Sequence, residues 1–138
     1  ILKPSLLDYK IKNNLDNVNF VGFKDQKLIK KYYKNSHIFV IPSREENWGL
    51  SVNEAMSSKN AIISSNFVGS AKDLVKNNYN GFTFKNSNSK DLAKKIFFFF
   101  KNKEKIKSFG DNSYKIISRW TFEECFNGLD KAIKYVNK

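Results

Sequence analysis

Two short apolar runs constrain this chain more than any other feature: His37-Ile38-Phe39-Val40-Ile41 and Ala61-Ile62-Ile63-Ser64-Ser65. Both are apolar on consecutive positions, the mark of a strand covered on both faces, whereas a half-exposed strand alternates. The stretch between them, 42–60, has room for one helix and its turns. Asn17-Val18-Asn19-Phe20-Val21-Gly22 reads as an earlier strand ending in glycine, and Phe82-Thr83-Phe84 as a short edge strand after the Asn80-Gly81 turn. Strands near 18–22, 37–41, 61–65 and 82–84 with one helix per crossover predict an α/β fold with a parallel sheet and right-handed connections.

The helical stretches carry start signals. A helix is expected over 5–14, another after Asp25 as cap with Leu28, Ile29, Tyr32 and Tyr33 on one face, and a third over 50–58 burying Leu50, Ala55 and Met56. Short spacing predicts a helix over 71–76, then helices over 91–101 and 103–118, and a last one capped by Thr121 and running to Val136. On the helix that holds Phe97-Phe98-Phe99-Phe100, the residues Leu92, Ile96, Phe99 and Phe100 share a face and are expected in the core. Phe97 and Phe98 are expected to point elsewhere.

With 138 residues, 41% of them hydrophobic and 15% aromatic, the chain is one domain able to bury a core. No run is long and apolar enough to span a bilayer. The chain opens on Ile1-Leu2-Lys3-Pro4, without Met and without the form of a signal peptide, and the expectation is a fragment. One cysteine, Cys125, excludes an internal disulfide and fits a reducing compartment; with one histidine, His37, a His/Cys metal site is not expected. The net charge of +12 invites a nucleic-acid or anionic-membrane reading. However, Lys, Asn, Ile and Phe are jointly plentiful while Gly, Ala and Pro are scarce, the bias of an AT-rich coding sequence. The lysines scatter over several helices and form no single stripe, so no nucleic-acid partner is expected.

The chemistry gathers at Pro42–Glu54, P-S-R-E-E-N-W-G-L-S-V-N-E, where the strand at 37–41 hands over to a helix. Ligands of open parallel sheets bind off the carboxyl ends of the strands. Gly49 removes a side chain at a helix start, where unpaired amides and the dipole favour an anion, and Gly69-Ser70 is read the same way. Glu46 and Glu54 are separated by seven residues. Two acids near a helix start are also what helix N-termini attract without any ligand.

The wider pattern changes that weighting. Residues 17–85 closely resemble the donor-binding domain of the large retaining glycosyltransferase family four, of GT-B fold. The resemblance runs through Asn17–Gly22, Ile41-Pro42-Ser43, Glu46-Asn47-Trp48-Gly49-Leu50, Asn53-Glu54-Ala55-Met56, Val68–Val75 and Asn80-Gly81-Phe82, and the tail around Trp120 and Phe122 looks similar. It implies a Rossmann-like three-layer parallel sheet, with residues 1–138 a single partial donor-binding domain lacking its first strands and the acceptor domain. It implies that Glu54 holds the ribose of a UDP- or GDP-sugar and that Glu46, the catalytic position, lies by the donor sugar. Trp48, Gly49 and Leu50 would form the diphosphate edge, with Ser43 and Gly69 beside it, and Gly22 and Lys24 would border the base. The implied reaction moves the sugar to an acceptor hydroxyl with retention, without a metal or other cofactor. The implied acceptor is a glycan or lipid-linked glycan, in the cytoplasm or peripherally at the inner face of the membrane, where Phe97 and Phe98 among Lys94, Lys95 and Lys101 would make the contact.

Three departures stand beside the resemblance. The family's Arg and Lys that grip the diphosphate lie in an earlier segment, so this chain alone is expected to be inactive. The usual Gly-Gly-x-x-Glu is Gly69-Ser70-Ala71-Lys72-Asp73, and the usual glycine before the third strand is Asn60, which tolerates a left-handed turn. A non-catalytic nucleotide-sugar-binding or interaction module and a basic module for nucleic acid or lipid remain the alternatives.

Overall fold

A computed structural model of the protein describes residues 3–137. In chain order the elements are α1 (Lys3–Lys12), α2 (Gln26–Asn35), β1 (Ile38–Ile41), α3 (Leu50–Ser57), β2 (Ala61–Ser65), α4 (Ala71–Leu74), β3 (Gly81–Phe84), α5 (Ser89–Lys101), α6 (Lys103–Ile117) and α7 (Phe122–Val136). The three strands are parallel in the order β1-β2-β3, with Val40 opposite Ile63 and Ile63 opposite Phe82.

Every residue of β2 is buried, because helices cover both of its faces. Ile62 faces a core with Tyr33, Val52, Met56, Val68 and Leu74, drawn from α2, α3 and the loop and helix after β2. Ala61 and Ile63 face the opposite core, where Phe82, Phe84, Phe99 and Phe109 bring in α5 and α6. This is the three-layer arrangement that consecutive apolar positions predict. At the expected caps, the Asp25 carboxylate accepts from the Leu28 amide at 2.8 Å and the Thr121 hydroxyl from the Glu124 amide at 3.2 Å.

The expected strand over 18–22 does not form. Residues 18–25 have no regular structure, and Phe20, Val21 and Phe23 are exposed. A strand is held by hydrogen bonds to a neighbour, and among the described residues no strand lies beside this segment or along the outer edge of β1. For the same reason Ile38, Phe39 and Val40 are only half-buried.

Three finer expectations change as well. In the phenylalanine run, Phe98 is half-buried against the core with its ring 4.8 Å from Phe82, while Ile96 and Phe100 are exposed. Four consecutive apolar residues satisfy two adjacent helical stripes, and the one through Phe98 and Phe99 meets Phe82 of β3. Leu50, expected in the core of α3, is 70% exposed, and Val52 takes its place. The left-handed residue before β2 is Lys59, at φ 61°, and not Asn60. The buried amide of Asn60 donates instead to the carbonyls of Tyr33 and Ser36, tying the end of α2 to the start of β2.

Candidate functional site

Three loops leave the carboxyl ends of the strands on one edge of the sheet, and they are bound to each other. The Glu46 amide donates to the Phe67 carbonyl at 3.2 Å, and the Gly69 amide donates back to the Glu46 carbonyl at 2.9 Å. These bonds form a parallel bridge between Glu46 and Val68. The Ser70 amide donates to the Trp48 carbonyl at 2.9 Å. Asn86, after β3, joins from the third loop: its backbone amide donates to the Asn66 side chain and its Nδ2 to the Arg44 carbonyl.

Two glycines make this closeness possible, for different reasons. A Cβ on Gly69 would lie 1.8 Å from the Asn47 carbonyl oxygen, so any side chain there would part the two loops. Gly49 sits at φ 86° and ψ 64°, left-handed, as the residue before α3, a conformation that glycine adopts without the Cβ penalty. A Cβ on it would also press on Val68 and Glu46. No side chain caps α3, so its opening turn presents backbone amides and the positive end of the helix dipole beside the loop.

The side chains of the 42–54 stretch divide around this corner. Glu46 is half-buried on the bridge. Trp48 donates its indole N–H to the Asn53 side chain at 3.2 Å and packs on Trp120 with ring centres 5.6 Å apart. Leu50 faces outward at the first turn of α3, and Ser43 is half-buried just past β1. Glu54 is exposed, one turn into α3. One of its oxygens accepts from the Tyr33 hydroxyl at 3.2 Å. Burial, and then the charge and hydrogen bond of Glu54, push the Tyr33 phenol up to about 12, so it remains a donor at neutral pH.

A depression of about 490 Å³ opens between the loops, lined by Glu45, Glu46, Asn47, Asn66, Phe67, Val68, Gly69 and Lys72. Among the described residues, no three His, Cys, Asp or Glu side chains gather into a group that could hold a metal.

The structure therefore brings Ser43, Glu46, Trp48, Gly49, Leu50, Glu54 and Gly69 to one corner. Gly69 has a different part there from the one its sequence position implies: its amide, expected to face an anion, is occupied by the Glu46 carbonyl, so Gly69 holds the loop. Gly22 and Lys24 are not joined to this corner by any bond. Gly22 is left-handed at φ 64° with open space around it, and the Lys24 ammonium bonds the Val21 carbonyl. Lys72 and Tyr33 belong to the site and were not singled out by sequence. For Lys72 the signal was available, since it stands three residues after Gly69. Tyr33 gave none, because its helical face marks it only as core.

Comparison with known proteins places this arrangement. The family model for glycosyl transferases group 1 matches residues 7–116. An uncharacterized glycosyltransferase of Methanocaldococcus jannaschii is 28% identical over 131 residues, covering 95% of this chain and 37% of the relative. The N,N'-diacetylbacillosaminyl-diphospho-undecaprenol alpha-1,3-N-acetylgalactosaminyltransferase of Campylobacter jejuni is 35% identical over 79 residues, covering 57% of this chain and 20% of the relative. The C-terminal domain of a glycosyl transferase group 1 family protein from Francisella tularensis superposes with a TM-score of 0.78 at 26% identity, over 86% of this chain and 61% of that one. An Anabaena protein crystallised in complex with UDP shares the fold, with a TM-score of 0.75 at 24% identity over 84% of this chain and 32% of that one. The chain thus spans about a third of the length of the first curated relatives it matches. Matched over most of its length, and folded like the C-terminal domain of one solved member, the chain belongs to the glycosyl transferases group 1 family.

Proposed function

We propose that this chain is the donor-binding part of a glycosyltransferase that holds a UDP- or GDP-sugar and transfers the sugar, with retention, to the hydroxyl of a glycan or lipid-linked glycan. The observation that carries the reading is the corner itself: an uncapped helix start at a left-handed Gly49, flanked by Glu46 and Glu54 on one edge of a parallel sheet. Backbone amides at a helix start suit a diphosphate. The two carboxylates suit hydroxyl groups on either side of it, Glu54 the ribose diol and Glu46 the donor sugar. Ser43, Trp48 and Leu50 border the phosphates, Gly69 keeps the loops closed, and Gly22 and Lys24 lie toward the base. The UDP of the Anabaena neighbour supports the ligand class, and the lipid-diphosphate acceptor named for the Campylobacter relative supports the acceptor class.

In this reading the leaving diphosphate is stabilised by amides and by cations supplied from the rest of the protein, with no metal or other cofactor. Transfer then survives a chelator, and residues 1–138 alone turn over no donor. The site works from the cytoplasm, peripherally at the inner face of the membrane. No helix among the described residues is long and apolar enough to cross a membrane. The contact falls to the exposed, stacked Phe97 and Phe100, each with a lysine over its ring. Phe98, expected beside Phe97 in this contact, is half-buried against the core. Failure of the whole protein to bind anionic liposomes at low salt removes the membrane part alone.

The deciding experiment is calorimetric titration of the whole protein with UDP, GDP and their sugars. Glu54→Ala is expected to abolish nucleotide binding, and Glu46→Gln to keep it while losing transfer. No binding of any nucleotide, together with tight, salt-sensitive binding of DNA, refutes the reading.

A further inference from the structure

The Tyr33 side chain belongs to both the core and the site. The residue is 7% exposed, and its ring packs edge-on against Phe39, with centres 5.7 Å apart and planes at 72°. Its backbone is fixed too, since its carbonyl accepts the Ser36 amide and the buried Asn60 side chain at 3.0 Å. Only the hydroxyl leaves the core, and it donates to the Glu54 Oε2 at 3.2 Å across 21 residues of sequence.

Glu54 has little else to hold it. It stands exposed on α3, and the ion pairs of the described residues, Lys59–Asp111 and Lys134–Asp130, do not include it. An unrestrained glutamate loses side-chain freedom when a ligand captures it, and that loss opposes binding. A carboxylate already held through one oxygen, by the hydroxyl of a buried tyrosine, has lost part of that freedom on folding. Its second oxygen remains able to accept from a ligand hydroxyl.

We propose that Tyr33 is a positioning residue that orients Glu54 toward the ribose hydroxyls of the nucleotide, so that preference for ribose over deoxyribose depends on the Tyr33 hydroxyl. The inference rests on the ribose role given to Glu54 above. The phenol remains protonated across the physiological range, so the contact persists wherever the protein works.

The test titrates the full-length protein with UDP and 2′-deoxy-UDP by calorimetry, with GDP and 2′-deoxy-GDP as a second pair. It compares wild type with Tyr33→Phe, Glu54→Gln and the double variant. Tyr33→Phe keeps the buried ring and removes only the hydroxyl. It is expected to weaken UDP about tenfold, the scale of a hydrogen bond to a charged group, while leaving 2′-deoxy-UDP nearly unchanged. In the Glu54→Gln background it should add nothing. If Glu54→Gln collapses the ribose preference and Tyr33→Phe does not, the positioning role is wrong and the ribose reading stands. Equal weakening of both nucleotides by Tyr33→Phe also overturns it, because packing alone would do that. If Glu54→Gln leaves the preference intact, or neither pair binds, the ribose reading fails and the inference with it.

Discussion

Replacing Gly69 by alanine should force apart the two loops that build the site. The new Cβ would stand 1.8 Å from the Asn47 carbonyl oxygen and 2.8 Å from its carbon. Both are backbone atoms, so rotation of a side chain cannot relieve the clash. Reaching ordinary contact needs a displacement of about 1.5 Å. That movement breaks the bonds from the Gly69 amide to Glu46 and from the Ser70 amide to Trp48, both at 2.9 Å. Two hydrogen bonds at about 1 kcal/mol each and overpacking of about 1–3 kcal/mol total roughly 3–5 kcal/mol. For a domain of this size that corresponds to a fall in Tm of about 10–20 °C. Glu46 moves with its loop, so donor turnover should fall by about a hundredfold or more. Scanning calorimetry and a donor-turnover assay on the whole protein read the two effects. Two other glycines separate space from conformation. Gly128→Ala, on exposed α7 with nothing within 4 Å, should be neutral or slightly stabilising. Gly22→Ala, with equally open space but a left-handed backbone, should cost about 1 kcal/mol. A Gly69→Ala protein that melts within about 2 °C of Gly128→Ala would refute the reasoning.

Asn60→Ala removes the bonds that the fully buried Asn60 amide donates to the Tyr33 and Ser36 carbonyls, and should cost about 1–3 kcal/mol by urea denaturation. Phe99→Ala, in the core between α5 and the sheet, should cost about 3–5 kcal/mol in the same assay, whereas the exposed Phe97→Ala should stay within about 0.5 kcal/mol. Stability should also fall as pH rises from 10 to 12. The folded Tyr33 phenol is raised to about 12 against 10.0 unfolded, so the unfolded chain loses its proton first. The contribution of Tyr33 is complete below pH 10, and Tyr33→Phe should flatten the alkaline loss measured by base-induced unfolding.

Much of the fold was legible because local chemistry and tertiary position agreed. Ala61–Ser65 reads as a strand covered on both faces and is one, and Asp25 and Thr121 cap the helices they precede. The stretch from Pro42 to Glu54 reads as a strand-to-helix corner, and Gly49 takes the left-handed turn that opens α3. These features depend on residues within a few positions of one another. The departures all depend on a partner elsewhere. The Asn17–Gly22 segment has strand composition and, among the described residues, no neighbouring strand to bond. Leu50 has core composition and faces outward, while Val52, two positions on, is fully buried in the core with Ile62.

The sequence by itself determined the class of sheet, the order of the three strands that form and the place of the two glutamates on its carboxyl edge. Periodicity and capping are short-range properties, and each is written in adjacent residues. Tertiary structure alone decided that the Gly69 amide would close the loop rather than meet a ligand, that Phe98 would pack against the core, and that Tyr33 would reach Glu54. In each of these the contact joins groups far apart in the chain. Their meeting depends on how helices tilt over the sheet, a geometry that no local pattern carries.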